Sequence, residues 1–529
     1  MYLFLVGPPG IGKSTLAPVL AAELAAAVFE IDGEIERRTR KTNRRTIDED
    51  GMPRFRDLET DVLGALRPTP AWTVVDTGGG TSLRPENRAR MRELGLLLGL
   101  RASLSRITAG IAATLDKRPS RPESAAERAR HALGDPERTA AYADVDVTFD
   151  VEDAPADEVA RTIVSWLAGT RGLRIDVGGE KTYPVVVRAG LIDELGALLN
   201  ERGWKGRVAL VTERNAGRAL AARATTSLRS AGLDVATITA PSGERAKSIR
   251  AIEALWRDFA KAGIGRDGGV VALGGGAVGD AAGFAAATYL RGVRMAQVPT
   301  TLLAMVDAAI GGKTAIDIAA GKNLVGAFHQ PDAVLADVGA LATLPARQRS
   351  SGLAEVIKSA FLVDQESVDH VRRAIPGVLG GEAGPTITAV TLAAEVKASI
   401  VTADPREQGL RGLLNFGHTM GHAYEAASGY RRTHGEAVAI GLVFACALAE
   451  ELELASIGLR AEVERLLASA RLPIRGRIPK AAWGLLQRDK KARAGKVRWI
   501  LPRRVGQFSE VTDVGDPALR AAARVVEGT

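Results

Sequence analysis

The chain carries a single cysteine, Cys446, among its 529 residues. That excludes an intrachain disulfide, a multi-thiolate zinc site and a cysteine-ligated iron–sulfur cluster. Its neighbours, GLVFACALAEELEL, read as a buried helix, so Cys446 is assigned to packing rather than to nucleophilic chemistry. Aromatic residues are only 4% of the chain, too few for the stacking platforms that single-stranded nucleic acid requires. No apolar run approaches the roughly twenty residues of a membrane span. The opening MYLFLVG lacks the basic flank and the length of a signal peptide. A cytoplasmic enzyme without a membrane partner is the resulting expectation. The net charge of +8 is slight for this length and suits small anionic substrates. One basic cluster, Arg37, Arg38, Arg40, Lys41, Arg44 and Arg45, reads as a solvated helix face or a rim that attracts anionic metabolites. No nucleic-acid recognition motif accompanies it.

Histidine is scarce as well, at six copies, yet His418, His422 and His434 all fall within GHTMGHAYEAASGYRRTHGE. Metal ligation or proton transfer accounts for such gathering. Spacing alone nominates His418 and His422, because positions i and i+4 share a helix face.

The length implies roughly two to four domains. The apolar run YLFLV ends in glycine and is followed by the helical pattern STLAPVLAAELAAA, a strand–turn–helix unit. WTVVD at 72–76 is a second strand, and DEVARTIVSWLAG closes the first region. GTRG at 169–172 reads as a linker. Beyond it, LRIDV and YPVVV suggest a hairpin, then the helix LIDELGALLNERG. VALVT and GVVALGGG are buried strands that feed helices, the mark of a parallel α/β sheet. From about Leu341 the pattern is almost wholly helical, with a late strand at VRWILP.

Between the first strand and helix lies Gly7-x-x-x-x-Gly12-Lys13-Ser14. Glycines let backbone N–H groups converge on phosphate oxygens at a helix N-terminus, Lys13 reaches the β- and γ-phosphates, and Ser14 binds Mg²⁺. FEIDGEIERRT, PRFRDLE, TGGG, DKRP and RTAAY follow in order. Together with the loop they resemble shikimate kinase from Met1 to about Ala168. The resemblance implies ATP with Mg²⁺, held by Gly10, Gly12, Lys13, Ser14 and Thr15. It places Asp32, Arg56 and Arg138 on the hydroxyls and carboxylate of shikimate, with Gly78, Gly79 and Gly80 beside them. Arg118, or Arg121 in the same RPSRPES stretch, contacts the nucleotide phosphates. Two positions depart from the family: Glu30 where an Asp is usual, and Met52 where a Glu is usual. They motivate an alternative in which this unit binds nucleotide without catalysis.

GGVVALGGGAVGD sets Gly274, Gly275 and Gly276 between a buried strand and a helix, where a pyrophosphate can approach closely. VPTTLLAMVDAAIGGKTAID, AAGKNLVGAFHQP, GLAEVIK, LRGLLNFGHTMGHAYE and THGEAVAIG follow. These motifs strongly resemble 3-dehydroquinate synthase across about residues 173–510. The resemblance implies an NAD-binding Rossmann-like α/β lobe over 173–340 and a mainly helical metal- and substrate-binding lobe over 341–529. It revises the metal ligands to Glu355, His418 and His434, holding Zn²⁺ or Co²⁺, and leaves His422 to hydrogen bonding or proton transfer. NAD falls to Glu213, Glu244, Lys247, Gly275, Gly276, Asp280, Thr300, Thr301, Lys313, Lys322 and Thr343. The phosphate and carboxylate of the substrate fall to Lys313, Asn323, Lys358, Lys397 and Arg411. Lys490 or Lys491 adds a late contact, and Arg291 reaches in from a neighbouring subunit of a homodimer. Asp307, Glu407 and Asn415 complete the polar wall, while His329 and His370 are assigned no site role.

The family reaction converts 3-deoxy-arabino-heptulosonate 7-phosphate to 3-dehydroquinate by oxidation at C5, loss of phosphate, reduction, ring opening and aldol closure. A related sugar-phosphate cyclase is the alternative. The cations available for a substrate carboxylate argue against it.

Overall fold

The computed structural model describes residues 2–67, 69, 72–114, 123–152, 154–167, 173–179, 181–407, 409–429, 431–492 and 496–528, with backbone alone at 165, 173, 174 and 487–492. The chain forms two compact units, Met1–Leu167 and Ala168–Thr529. The GTRG linker and both candidate lid arginines, Arg118 and Arg121, lie outside the described residues.

The first unit is a five-stranded parallel sheet. Its strands are β1 (Tyr2–Val6), β2 (Ala27–Glu30), β3 (Thr73–Asp76), β4 (Gly95–Arg101) and β5 (Val147–Asp150), in the order β2-β3-β1-β4-β5. Every residue of β1 and β3 is buried, as expected of strands covered on both faces. Chain order reverses across β1, so the crevice between β1 and β3 opens at their carboxyl ends, where such sheets bind ligands. The helix Lys13–Leu24 starts directly from the glycine turn. Gly12 has φ 105°, a left-handed conformation that excludes other residues even though space there is open.

In the second unit β6 (Leu173–Val177) and β7 (Tyr183–Arg188) form the expected antiparallel pair. They continue a seven-stranded sheet with β8 (Arg207–Thr212), β9 (Asp234–Thr239), β10 (Gly269–Gly274), β11 (Arg294–Pro299) and β14 (Ala333–Asp337), ordered β6-β7-β14-β11-β10-β8-β9. The reversal falls between β8 and β10, beside the glycine turn. A separate hairpin, β12 (Lys313–Ile318) with β13 (Gly321–Phe328), went unforeseen. So did β16 (Gln507–Val511), which pairs with β15 (Trp499–Arg504) where the sequence suggested one late strand. The stretch LIDELGALLNERG is helical but opens as a 3₁₀ turn at Leu191–Glu194.

The C-terminal part packs helices Ala346–Phe361, Gln365–Gly380, Ala383–Ala403, His418–Ala427 and His434–Glu451 against one another. One sequence expectation fails here. Ala383–Ala403, at 21 residues, is long and apolar enough to cross a membrane, contrary to the reading that no such run exists. Its apolar window is 78% buried inside the fold, because the helix packs against neighbouring helices and the sheet on several sides. Cys446 is fully buried on His434–Glu451 and is free, in line with a packing role.

Candidate active sites

In the first unit a cavity of about 640 Å³ is lined by the phosphate loop, Asp32, Arg56, Glu59, Asp76, Gly78, Gly79, Gly80 and Arg138. Lys13 is buried and donates from Nζ to the carbonyls of Gly7 at 2.8 Å and Pro8 at 3.2 Å. Ser14 Oγ donates to Asp76 Oδ2 at 2.5 Å. That hydroxyl–carboxylate pair at the loop is the donor set a Mg²⁺ with bound nucleotide phosphates takes. Asp32 stands opposite. Enclosure by the cavity wall, then the nearby Glu59 and Asp76 carboxylates, push it up to about 6.

The three glycines act by making room. A Cβ on Gly80 would sit 1.9 Å from Arg56 Nη1, one on Gly79 2.7 Å from Pro9 Cγ, and one on Gly78 2.9 Å from Asp32 Oδ1. Arg56 is held by Glu59 at 2.6 Å, and Glu59 also accepts from Thr81 Oγ1 at 2.7 Å. Arg138 sits 3.4 Å from Asp135, and Tyr142 anchors the glycine turn through Gly79 O at 2.8 Å. Met52 lines the cavity, whereas Glu30 is exposed and does not. Most of the basic cluster pairs with acids on its own face: Arg37 and Arg38 with Glu34, Lys41 with Asp50, and Arg45 with Glu49.

In the second unit a cavity of about 630 Å³ lies between the sheet and the helical part. Three helices meet at its floor, and glycines permit the approach. A Cβ on Gly435 would lie 1.9 Å from Ser351 O, and one on Gly441 1.9 Å from Gly417 O. Thr433 caps the helix His434–Glu451 in a capping box with Glu436, which fixes His434 in its first turn. His418 begins its own helix after Gly417. Glu355, buried in the middle of Ala346–Phe361, faces both.

The result is a convergent donor set. Glu355 Oε1 lies 3.2 Å from His418 Nε2 and 3.4 Å from His434 Nε2. That buried oxygen nevertheless makes no hydrogen bond, the arrangement expected where a divalent cation takes the lone pairs. The outer nitrogens are oriented from behind: His418 Nδ1 lies 3.1 Å from Phe416 O, and His434 Nδ1 lies 3.1 Å from Glu425 Oε2. One carboxylate and two imidazoles, without thiolate, suit Zn²⁺ or Co²⁺. Burial opposes ionisation of Glu355, but the Lys358 ammonium and the His418 imidazole hold it well below the usual carboxylate range. Burial likewise opposes protonation of His434, yet the Glu355 and Glu425 carboxylates push it up to about 10. His422 also reaches this point, and one nitrogen from each of the three histidines falls within 4.8 Å of the others. The surrounding protein, with His418 and His434, pushes His422 down to about 3, leaving a neutral ring open to the cleft.

Around this cluster the cavity gathers Glu244, Lys247, Gly276, Asp280, Asp307, Lys313, Lys322, Asn323, Lys358, Lys397, Glu407, Arg411 and Asn415. Lys397 binds Asp307 Oδ1 and its carbonyl at 2.5 Å each, and this ammonium overcomes burial to bring Asp307 down to about 2. Lys313 pairs with Glu407, Lys247 with Asp280 at 2.6 Å and with Asn323. Burial pushes Asp280 up to about 6. Arg411 is 2% exposed, donates to Pro405 O at 2.7 Å, and its Nε has no partner. The glycine turn presents a bare backbone: a Cβ on Gly275 would meet Thr301 Cγ2 at 3.2 Å, and one on Gly276 Ala308 Cβ at 3.1 Å. Thr300 N bonds Gly274 O at 2.9 Å. That cradle fits a dinucleotide pyrophosphate.

Other residues singled out from the sequence do not line this cavity among the described side chains. Glu213 follows β8 and caps the next turn, accepting from Ala216 N at 2.8 Å and Ser242 Oγ at 2.6 Å. Thr343 bonds Ala340 O at 3.0 Å and does not line the cavity. Arg291 is exposed with φ 64°. Lys490 and Lys491 lie on the helix Lys480–Ala492 with side chains outside the described residues. His329 and His370 bond backbone carbonyls, of Val293 at 2.9 Å and Glu366 at 2.7 Å, away from the cleft. Sequence reasoning missed Asp76, Glu59 and Glu425. Asp76 was within reach, as the acid closing an apolar strand just ahead of three glycines.

Fold and geometry together define a nucleotide-binding phosphotransferase unit joined to an enzyme unit built for a divalent cation and a dinucleotide. Residues 9–168 match the family model of shikimate kinase, residues 237–351 that of 3-dehydroquinate synthase N-terminal, and residues 352–492 that of 3-dehydroquinate synthase C-terminal. The 3-dehydroquinate synthase of Symbiobacterium thermophilum is 46% identical over 347 residues, 65% of this chain and 97% of that protein. That of Gloeobacter violaceus is 43% identical over 351 residues, 66% and 97% respectively. Among solved structures, ValA, a 2-epi-5-epi-valiolone synthase from Streptomyces hygroscopicus subsp. jinggangensis 5008 with NAD⁺ and Zn²⁺ bound, aligns with TM-score 0.62 at 28% identity, over 67% of this chain and 99% of that one. The chain belongs to the 3-dehydroquinate synthase family and carries a shikimate kinase domain ahead of it.

Proposed function

We propose that the chain is a bifunctional shikimate-pathway enzyme. Its second unit converts 3-deoxy-arabino-heptulosonate 7-phosphate to 3-dehydroquinate and phosphate, and its first phosphorylates shikimate from ATP. The observation that carries the synthase reading is the Glu355, His418 and His434 donor set opposite a glycine cradle. Identity of 46% to a 3-dehydroquinate synthase, against 28% to a valiolone synthase, favours the heptulosonate substrate over that of a related cyclase.

NAD⁺ at the cradle supplies a reversible hydride acceptor, and Zn²⁺ or Co²⁺ at the donor set polarises the substrate oxygen. The chain's own residues do the rest. Lys358, Lys397, Arg411 and Asn323 anchor the anionic ends of the substrate, with Lys313 and Glu407 as a paired clamp. His422, held neutral, accepts and returns a proton, and Asn415 donates from Nδ2 to Glu407 Oε1 at 3.4 Å. In the kinase unit Lys13, with Mg²⁺ held by Ser14 and Asp76, neutralises the transferred phosphoryl group. Arg56 and Arg138 fix the shikimate carboxylate, and Asp32 receives the hydroxyl proton.

Leu324, Val325 and Phe328 on β13 are 62%, 39% and 54% exposed, and Leu290 is 42% exposed beside Arg291. These apolar surfaces support a homodimer through the synthase unit, with Arg291 completing the neighbour's site. The ion-paired basic cluster and the buried Ala383–Ala403 helix support an enzyme without nucleic-acid or membrane partners, in the cytoplasm. A dual assay tests the function. Lys13→Ala should abolish shikimate phosphorylation and spare phosphate release from the heptulosonate, and His434→Ala should do the reverse. ATP binding without shikimate phosphorylation in the unaltered chain would instead support the non-catalytic kinase reading that Glu30 and Met52 motivate.

A further inference from the structure

We propose that Glu425 is a positioning residue that ties His434 to the dinucleotide side of the cleft, so that cation and NAD⁺ binding reinforce one another. The inference rests on the reading that Glu355, His418 and His434 hold a divalent cation.

The two histidines are oriented by different means. Behind His418 stands the neutral, fixed carbonyl of Phe416, 3.1 Å from Nδ1. Behind His434 stands a charged side chain, Glu425, whose Oε2 is 3.1 Å from Nδ1. A carboxylate there holds the ring through Nδ1 and so turns Nε2 toward Glu355, 3.4 Å from its Oε1. Glu425 is not a closed end. Its Oε1 lies 3.6 Å from Lys322 Nζ, and the same ammonium lies 3.2 Å from Glu244 Oε1.

Lys322 is on β13, and Glu244 is in the 3₁₀ turn Gly243–Lys247 that follows β9. Both line the cavity on the sheet side, whereas Glu425 belongs to the helix His418–Ala427. One ammonium is thus shared between a carboxylate that orients a metal-ligand histidine and a carboxylate expected to meet the nucleotide. The Glu244 side chain is 51% exposed and that of Glu425 15%, so water weakens the outer contact most. A dinucleotide lying over Glu244 and Lys322 displaces that water and fixes the ammonium. Glu425 is then ordered against His434, and the cation meets a ligand already in place. Thermodynamic linkage requires the converse effect to be equal.

The test uses the full-length chain without substrate. Co²⁺ affinity is measured by competition titration and by its visible absorption spectrum, with and without saturating NAD⁺, and NAD⁺ affinity is measured with and without Co²⁺. In the unaltered chain each ligand should tighten the other about 5-fold or more. Glu425→Gln keeps the shape and removes the charge. It should weaken Co²⁺ about 10–100-fold, shift the Co²⁺ spectrum, bring the mutual enhancement close to one, and leave NAD⁺ affinity without Co²⁺ unchanged. Glu425→Ala should act in the same direction. Unaltered Co²⁺ affinity in Glu425→Gln, an enhancement that survives it, or loss of NAD⁺ binding in the absence of Co²⁺ would each overturn the proposal. Failure of the unaltered chain to bind Co²⁺ would instead remove the metal-site reading beneath it.

Discussion

Gly80→Ala should separate the two activities by moving one side chain. The added methyl would stand 1.9 Å from Arg56 Nη1 and 2.0 Å from its Cζ. Gly80 has φ −142°, so alanine brings no backbone strain, and the clash falls on the flexible end of a long side chain. The fold survives and Arg56 leaves. Two interactions go with it: the 2.6 Å bond to Glu59, which is 1% exposed, and the proposed contact with the shikimate carboxylate. A hydrogen bond to a charged group contributes about 1.5–3 kcal/mol, so KM for shikimate should rise about 10–100-fold. KM for ATP should stay near its original value, since the phosphate loop is untouched. Phosphate release by the synthase unit of the same chain is the internal control. An unchanged KM for shikimate, with Gly80→Ala expressed and folded, would refute the assignment of Arg56.

Kinase kcat/KM should rise with pH and level off above about 6, because Asp32 accepts a proton only as the carboxylate and its value is raised from 3.8 to about 6; a flat profile from about pH 5 to 7 contradicts the assignment. The same shift makes Asp32 favour the folded state below its unfolded value, and this contribution is lost as pH rises through about 6. Gly435→Ala should cost about 1–3 kcal/mol or more in the synthase unit and lower its cation affinity, since the new methyl meets the Ser351 carbonyl at 1.9 Å; calorimetry and a chelator competition check both. Cys446 is fully buried and burial pushes its thiol well up, so a thiol reagent should label it only on unfolding; fast labelling of the native chain contradicts the packing role. Cleavage within 169–172 should leave two active halves, and mutual loss of activity would reveal coupling between them.

The phosphate loop was legible because its chemistry is local: strand, glycines, Lys13 and Ser14 are contiguous, and the helix follows at once. Asp76 carried only a local hint, an acid closing an apolar strand, because its partnership with Ser14 arises only when β3 lies beside β1 in the sheet. The metal cluster shows the same divide. Helical spacing alone paired His418 with His422, and the fold does bring both to one point. What spacing could not supply is Glu355, an acid in the middle of a different helix, admitted by the missing side chains of Gly435 and Gly441. The likeness to a known family supplied it instead. The hairpin of β12 and β13 was hidden because Leu324, Val325 and Phe328 point outward, so its apolar residues do not follow a core-facing alternation. The helix Ala383–Ala403 was misjudged because small and hydroxyl residues dilute its apolar character until the whole length is counted.

The most direct test of the account is an anomalous-scattering map of crystals of the full chain grown with Zn²⁺. One strong peak should appear, bounded by Glu355 Oε1, His418 Nε2 and His434 Nε2, with the His434 ring still bonded to Glu425 and His422 free to meet substrate. A peak held by His418, His422 and His434 with Glu355 turned away, or no peak at these residues, would contradict it.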